Sequence, residues 1–180
     1  DPAFLFDAPP DPYRALADAE PLAGYFALAR GVQDGGADLR ALEMTKWFDT
    51  NYHYLVPELH AGQTFCLRGD KPVAEFLEAR AAGHAARPVL LGPVSFLLLA
   101  KTVDGSDRLA LLEALLPVYA ALLARLHDAG ADWVQIDEPC LVLDLDDAER
   151  AAYVQAYATL AKATRPALLL ATYFRRLGDN

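Results

Sequence analysis

The stretch that decides the fold runs from residue 107 to residue 139 and reads DRLALLEALLPVYAALLARLHDAGADWVQIDEP. Its first part repeats leucine at helical spacing, which predicts a long amphipathic helix from Asp107 to about Ala129, ended by Gly130. Its second part, Trp133 to Ile136, is typical of a buried strand, and the polar residues 137–139 follow at once. A crossover-length helix followed by such a strand indicates a parallel sheet.

The same alternation of helical and strand-like segments covers the rest of the chain. Ser106 is the predicted cap of the long helix, and Pro117 inside that helix predicts a break or kink. The other predicted helices begin near Asp11, Pro21, Asp70 and Asp146, and the other predicted strands are residues 39–47, 64–67, 88–91 and 167–172. Residues 1–12 are expected to be irregular, and residues 31–38 are expected to form a glycine-rich turn.

Strands separated by helices predict an α/β fold with parallel strands and helices packed outside them. The chain has neither a Gly-x-Gly-x-x-Gly motif nor a phosphate-loop lysine motif, which disfavours a dinucleotide-binding or nucleoside-triphosphatase domain. A (β/α)8 TIM-type barrel fits better, but a full barrel takes ~250 residues, so 180 residues predict a partial barrel. Unpaired strand edges in a partial barrel lead us to expect dimerisation or fraying.

The composition excludes several classes of protein. A net charge of −9 disfavours a nucleic-acid-binding surface, which needs clustered Lys and Arg. No uninterrupted apolar run reaches the ~18 residues of a membrane span, and no basic leader predicts secretion. The chain starts at Asp1 rather than Met, as expected of an excised fragment. Cys66 and Cys140 are far apart and are expected to be buried thiols in a reducing cytoplasm.

Residues 43–58, EMTKWFDTNYHYLVPE, place charged and polar groups among aromatic rings at nearly every position. A core strand alternates apolar and polar residues or is continuously apolar, and this segment does neither. Such a mixture is typical of a pocket wall, where rings shape the cavity and a few polar groups orient a ligand. The alternative is an aromatic-rich turn whose polar groups cap neighbouring backbone.

Three segments of the chain resemble, in order, the N-terminal half of cobalamin-independent methionine synthase. They are residues 43–58, residues 87–94 (RPVLLGPV) and residues 132–139 (DWVQIDEP). The family is a zinc enzyme that methylates homocysteine from a 5-methyltetrahydrofolate polyglutamate. The resemblance implies that residues 1–180 are part of the N-terminal barrel domain and that the C-terminal catalytic zinc barrel is absent from this chain.

The resemblance also implies a division of labour. The metal, the homocysteine site and the catalytic histidine would belong to the C-terminal barrel, so zinc is expected in the parent enzyme and neither a catalytic residue nor a metal ligand is expected in this chain. The fragment alone is predicted to be inactive. Its partners would be the folate polyglutamate and the C-terminal barrel of the same parent chain. Neither a nucleic acid nor a membrane is expected as a partner, and the protein is expected in the cytoplasm.

Lys46 is the candidate substrate-binding residue. After a strand and between Thr45 and Trp47, it is expected to project near the barrel mouth, where an ammonium group can hold anionic carboxylates. The resemblance implies that this lysine contacts the glutamate tail of the folate. The alternative is a surface lysine paired with Glu43 or Asp49.

Asp137 and Glu138 follow a predicted strand, where barrel enzymes hold their acids and bases. Two adjacent carboxylates can raise one another's proton affinity. The resemblance implies that the corresponding pair of the C-terminal barrel faces its active site, and the copy in this chain is expected to make structural hydrogen bonds.

The remaining candidates are the histidines and a second lysine. His84 and His127 are expected at helix ends, where positive charge is favoured, whereas His53 could line the aromatic pocket; His60 has no assigned role. Lys101 could form a Schiff base only if it were desolvated. Two other functions therefore stay open, a self-sufficient lyase or aldolase that uses Lys46 or Lys101 with the two acids, and a ligand-free structural module.

Overall fold

The computed structural model describes residues 2–34, 37–163 and 166–180. Its helices are α1 Pro2–Leu5, α2 Asp11–Ala19, α3 Pro21–Arg30, α4 Lys71–Ala81, α5 Pro93–Leu98, α6 Leu112–Asp128 and α7 Asp147–Ala163. Its strands are β1 Val32–Asp34, β2 Ala37–Leu39, β3 Met44–Lys46, β4 His53–Leu55, β5 Glu58–Leu59, β6 Val89–Leu91, β7 Lys101–Thr102, β8 Trp133–Asp137 and β9 Ala167–Ala171. Short 3₁₀ turns cover Arg108–Leu111 and Pro139–Val142.

A three-stranded parallel sheet, in the order β6-β8-β9, forms the centre of the fold. Leu91 of β6 pairs with Asp137 of β8, which pairs in turn with Ala171 of β9, so the carboxyl ends of the three strands lie side by side. Because α5 and α6 connect β6 to β8 and α7 connects β8 to β9, the strands at residues 88–91, 133–136 and 167–172 are confirmed as parallel βα units.

One face of this sheet is buried beneath the helices. Leu90, Val134 and Ile136 point to that face and pack with the leucines of α6 in the main hydrophobic core. The opposite face is open, since Val89 is 54% exposed and Trp133 is 52% exposed. Successive side chains of a strand point to opposite faces, so Val89 and Trp133 lie on the face away from the α6 core.

No closed barrel forms in the part of the chain that the structure describes. Beyond the three-stranded sheet, the strands pair in twos: β1 with β2 and β3 with β4 in antiparallel hairpins, and β5 with β7 in a two-residue parallel pair. The α/β class and the parallel strands are therefore confirmed, whereas the partial TIM-type barrel is not.

Several predicted boundaries were wrong. Residues 39–47 are not one strand: Thr45 of β3 pairs with Tyr54 of the antiparallel strand β4. Residues 64–67 form no strand. Residues 2–5 form helix α1, and the predicted turn at 31–38 is part of the β1–β2 hairpin, with residues 35 and 36 outside the described residues.

The long helix begins differently from the prediction. The Asp107 side chain, not that of Ser106, accepts the capping hydrogen bond from the Leu109 N–H, because the Ser106 hydroxyl donates to Asp104 at 2.6 Å. Helix α6 continues through Pro117. Within the described residues, Arg108–Asp128 is a helical stretch long and apolar enough to cross a membrane, and half of its apolar window is buried within this protein, as in a core helix.

Candidate functional site

The aromatic segment forms the β3–β4 hairpin and the loop at its tip. Trp47 lies 5.3 Å from Tyr54 and 5.3 Å from Phe48 between ring centroids. Phe48 stacks on Phe174 at 5.4 Å, and Phe174 contacts Tyr173 at 4.7 Å. These rings connect the hairpin to the segment that follows β9, so the hairpin is held over the carboxyl ends of the parallel strands.

A cavity of about 280 Å³ lies between this hairpin and the sheet. Its polar and aromatic lining residues are Trp47, Tyr52, His53, Tyr54, Asp137 and Tyr173. The remainder of the lining is Pro2 and β6. The prediction that residues 43–58 contribute a pocket wall agrees with this arrangement, and the structure adds Asp137, predicted from a separate segment, to the same cavity.

Asp137 is held at the cavity by two hydrogen bonds. Its Oδ1 accepts from Nε2 of Gln135 at 2.7 Å, and its Oδ2 accepts from the Tyr173 hydroxyl at 3.4 Å. Partial burial, followed by the negative charge of Asp137, raises the pKa of Tyr173 to about 12, so this hydroxyl stays protonated and donates. The carboxylate is therefore oriented by neighbours and keeps unused acceptor positions.

Tyr54 lines the cavity on the hairpin side and carries a buried polar group. Its hydroxyl is buried and has no hydrogen-bond partner in the described ranges 2–34, 37–163 and 166–180. Burial raises its pKa far above the ordinary value. A buried hydroxyl without a partner costs free energy, so this residue holds an unused hydrogen-bonding group.

Lys46 is exposed on β3 and does not line the cavity. It is the direct cross-strand partner of His53, which does. Opposed residues of an antiparallel pair lie on the same face, so Lys46 stands beside the cavity mouth. Its ammonium group has no ion pair within the described residues, because Glu43, one of the partners considered for it, binds Lys101 instead.

Glu138 points away from the cavity and is completely buried. Its Oε2 accepts from the Ser95 N–H at 2.8 Å, and its Oε1 accepts from the Tyr157 hydroxyl at 2.6 Å and, more weakly, from the Val94 N–H at 3.4 Å. The carboxylate thus joins the strand end to the first turn of α5 and to α7. The predicted structural role fits Glu138, whereas Asp137 faces a cavity.

Asp137 is not among the causes that shift the pKa of Glu138. Burial raises the pKa of Glu138, while hydrogen bonds from Ser95, Tyr157 and Val94 lower it. Consecutive strand residues point to opposite faces, so the two carboxylates act in different environments. Glu138 belongs to the core.

The cysteines and histidines occupy different settings. Cys140 is buried as expected, and burial raises the pKa of its thiol to about 12. Cys66 is exposed, contrary to the prediction, because it lies in an irregular surface segment where its thiol donates to Asp7 at 3.4 Å. His84 follows the end of α4 and His127 lies in the last turn of α6, as predicted.

His60 is exposed, and its Nδ1 lies 2.9 Å from the carbonyl oxygen of Ala61. Across residues 2–34, 37–163 and 166–180, no three His, Cys, Asp or Glu side chains come together to hold a metal ion. The described residues therefore do not fit a zinc site.

The structure disfavours the lyase or aldolase alternative, because the lysines and acids it requires are exposed or engaged elsewhere. A Schiff-base lysine needs desolvation to lower its pKa, but the Lys101 side chain is 58% exposed and is paired with Glu43. Lys46 is exposed as well, and Glu138 is engaged in the core. The acids and lysines do not form one reactive cluster.

Two aromatic residues of the site were missed by sequence reasoning. Tyr173 and Phe174 follow the end of β9 after Thr172, so the strand-end criterion that identified Asp137 would also have found them. The sequence alone gives Gly92 no role, yet a Cβ at this position would overlap the carboxylate of Glu138. That close approach depends on packing between two strands and carries no local sequence signal.

Comparison with known proteins gives a consistent result over the whole length. Residues 1–180 match the family described as cobalamin-independent synthase, N-terminal domain. The chain is 70% identical over 180 residues to a 5-methyltetrahydropteroyltriglutamate–homocysteine methyltransferase of Xylella fastidiosa (strain 9a5c), covering 100% of this chain and 24% of that protein.

Proteins of the same name from more distant bacteria are also similar. That of Chelativorans sp. (strain BNC1) is 57% identical over 189 residues, covering 100% of this chain and 25% of the relative. That of Streptomyces avermitilis is 54% identical over 184 residues, covering 99% of this chain and 23% of the relative. The chain thus spans about a quarter of the length of these curated relatives.

Proposed function

The chain belongs to the family of cobalamin-independent synthase N-terminal domains, and from this premise we propose that it is part of a methionine-forming methyltransferase. The parent would transfer a methyl group from 5-methyltetrahydropteroyltriglutamate to homocysteine, the two compounds in the name of its relatives. The full-length match to the family carries this proposal.

The role proposed for this chain is to support the catalytic part and to hold the glutamate tail of the folate. Lys46 is an exposed ammonium group without an ion-pair partner in the described part of the chain, next to a cavity mouth. A chain with a net charge of −9 needs such a local cation to attract carboxylates. An exposed lysine can exchange water for a carboxylate at little cost in desolvation.

The methyl-transfer chemistry is assigned to the other three quarters of the parent. The described residues bring together no group of three His, Cys, Asp or Glu side chains that could hold a metal ion. We therefore place zinc and the homocysteine site outside this chain, in a cytoplasmic protein, and expect the chain alone to be inactive.

Replacing Lys46 tests the tail-binding role. In the full-length protein, Lys46→Ala should raise KM for the triglutamate substrate about fivefold, because one carboxylate contact is worth up to ~1 kcal/mol at an exposed site. The turnover number should change little, since the tail is remote from the transferred methyl group. Steady-state kinetics with triglutamate and monoglutamate substrates would measure both effects.

Two variants control for charge. Lys46→Arg keeps the cation and should retain most of the affinity, whereas Lys162→Ala removes an exposed lysine from the last turn of α7 and should leave KM unchanged. An unaltered KM for the triglutamate in Lys46→Ala, or an equal rise for the monoglutamate, would contradict the role.

A further inference from the structure

We propose that the cavity between the β3–β4 hairpin and the sheet binds a small organic ammonium ion, with Asp137 as its counter-ion and the aromatic rings as its walls. This cation site differs from the proposed binding of the glutamate tail by Lys46, because the cavity would bind a cation whereas Lys46 would bind carboxylates. It goes beyond the proposed methyltransferase function, which assigns no ligand to Asp137.

The aromatic walls provide the first reason. Trp47, Tyr52, Tyr54 and Tyr173 line the cavity. The planes of the Trp47 and Tyr54 rings are tilted by 45° rather than stacked face to face. The two rings therefore form a corner, and their faces are not covered by one another. The negative face of an aromatic ring attracts a cation within ~6 Å, and a set of rings is the usual surroundings of a bound alkylammonium group.

The charge of the lining provides the second reason. Asp137 is the carboxylate among the described lining residues, and no Lys or Arg side chain lines the cavity with it. Gln135 and Tyr173 each donate one hydrogen bond to Asp137. An ionised carboxylate has about four acceptor positions, so Asp137 can also bind an ammonium group, and an anion would be repelled.

Size and polarity define the class of ligand. A volume of about 280 Å³ is just below the ~300–1,000 Å³ range of small-molecule sites, which favours a small ligand. Val89 and Leu91 add apolar lining on the sheet side of the cavity. A primary or quaternary ammonium ion with a short aliphatic chain fits this volume and this lining.

Titration of the full-length protein with tetramethylammonium chloride tests the site. Binding would be followed by saturation-transfer NMR of the methyl signal at constant ionic strength, with neutral neopentyl alcohol as the uncharged probe of similar shape. We expect saturable binding of the cation and at least tenfold weaker binding of the alcohol. Asp137→Asn should weaken cation binding about tenfold, which corresponds to ~1.4 kcal/mol.

Matched variants separate this site from other binding. Asp132→Asn removes a carboxylate that directly precedes β8, at the opposite end of the strand, and should leave the affinity unchanged. Trp47→Leu should weaken cation binding while circular dichroism shows a folded protein. Lys46→Ala removes a neighbouring positive charge and should not weaken tetramethylammonium binding, so failure of the tail-binding role is distinguishable. Equal affinity in wild type and Asp137→Asn, no saturation, or equal binding of the alcohol would overturn the proposal.

Discussion

Asp137 and Glu138 are neighbours in the chain but have opposite roles, because the end of β8 directs their side chains to different faces. Asp137 faces the aromatic cavity, where Gln135 and Tyr173 hold its carboxylate. Glu138 faces the core, where it receives hydrogen bonds from two other elements. The end of a single strand thus places a cavity-facing acid and a structural acid side by side.

The burial of Glu138 predicts how stability depends on pH. In the folded protein burial raises the pKa of this carboxyl group, whereas in the unfolded chain the group is in water with a pKa near ~4.3. The protonated group therefore favours folding. Its contribution to stability is fully present below the unfolded pKa and is lost as pH rises through the raised folded pKa.

Glu138→Gln should remove this dependence. The stability of wild type relative to the variant should fall with rising pH, by ~1.4 kcal/mol for each pH unit that separates the folded and unfolded pKa values. Urea unfolding from mildly acidic to neutral pH would measure it. Glu113→Gln, which removes an exposed carboxylate in the first turn of α6, serves as the control. A constant stability difference between wild type and Glu138→Gln would contradict the prediction.

At the scale of elements, the junction between β6 and α5 depends on one residue without a side chain. Gly92 has φ −73°, a conformation open to any residue, so its backbone does not require glycine. A Cβ there would instead overlap the carboxylate of Glu138 from the neighbouring strand end. The absence of a side chain at Gly92 allows Glu138 to reach the Ser95 N–H.

Gly92→Ala should therefore destabilise the protein by about 2 kcal/mol, as typical overpacking does, because Glu138 must move away from its donors. Gly62→Ala is the comparison, since a Cβ there meets nothing and the residue has φ +71°, which costs ~1 kcal/mol for a left-handed backbone. Thermal and urea denaturation would rank the two variants. A smaller loss for Gly92→Ala than for Gly62→Ala would exclude the close contact as the cause.

For the whole molecule, the unfinished sheet is the main feature. Strand β8 is paired on both sides, while β6 and β9 are its two outer strands. Val89 on β6 is 54% exposed, and Leu170 on β9 is 44% exposed. Unpaired backbone groups together with exposed apolar side chains favour association with another strand, which agrees with the expectation that the isolated chain hides an edge.

Charging one edge tests this expectation in the isolated 180-residue chain. Sedimentation velocity should show concentration-dependent association of the wild-type chain, and Val89→Lys should shift it toward monomer, because a lysine on an edge strand opposes pairing. Val154→Lys is the matched control, since Val154 is 73% exposed but lies on α7. A monomeric wild-type chain with protected edge amides, or equal effects of both lysines, would refute it.

The sequence by itself determined the α/β class, the three parallel strands and the helices between them, because leucine periodicity, helix-starting residues and short apolar runs are local signals. It also identified the aromatic segment and the acidic pair as notable. The pairing of strands was not determined locally. Residues 39–47 are divided between β2 and β3, and Thr45 of β3 pairs with Tyr54, which no local pattern specifies.

Only the tertiary structure decided which acid faces a cavity, which lysine lacks a partner and why Gly92 is glycine. Each depends on contacts between residues far apart in the chain, such as Lys101 with Glu43, Tyr173 with Asp137 and Gly92 with Glu138. Local sequence determines what each segment can form, but burial and pairing depend on which segments meet, so the ionic and hydrogen-bonding state of a side chain is set by the fold.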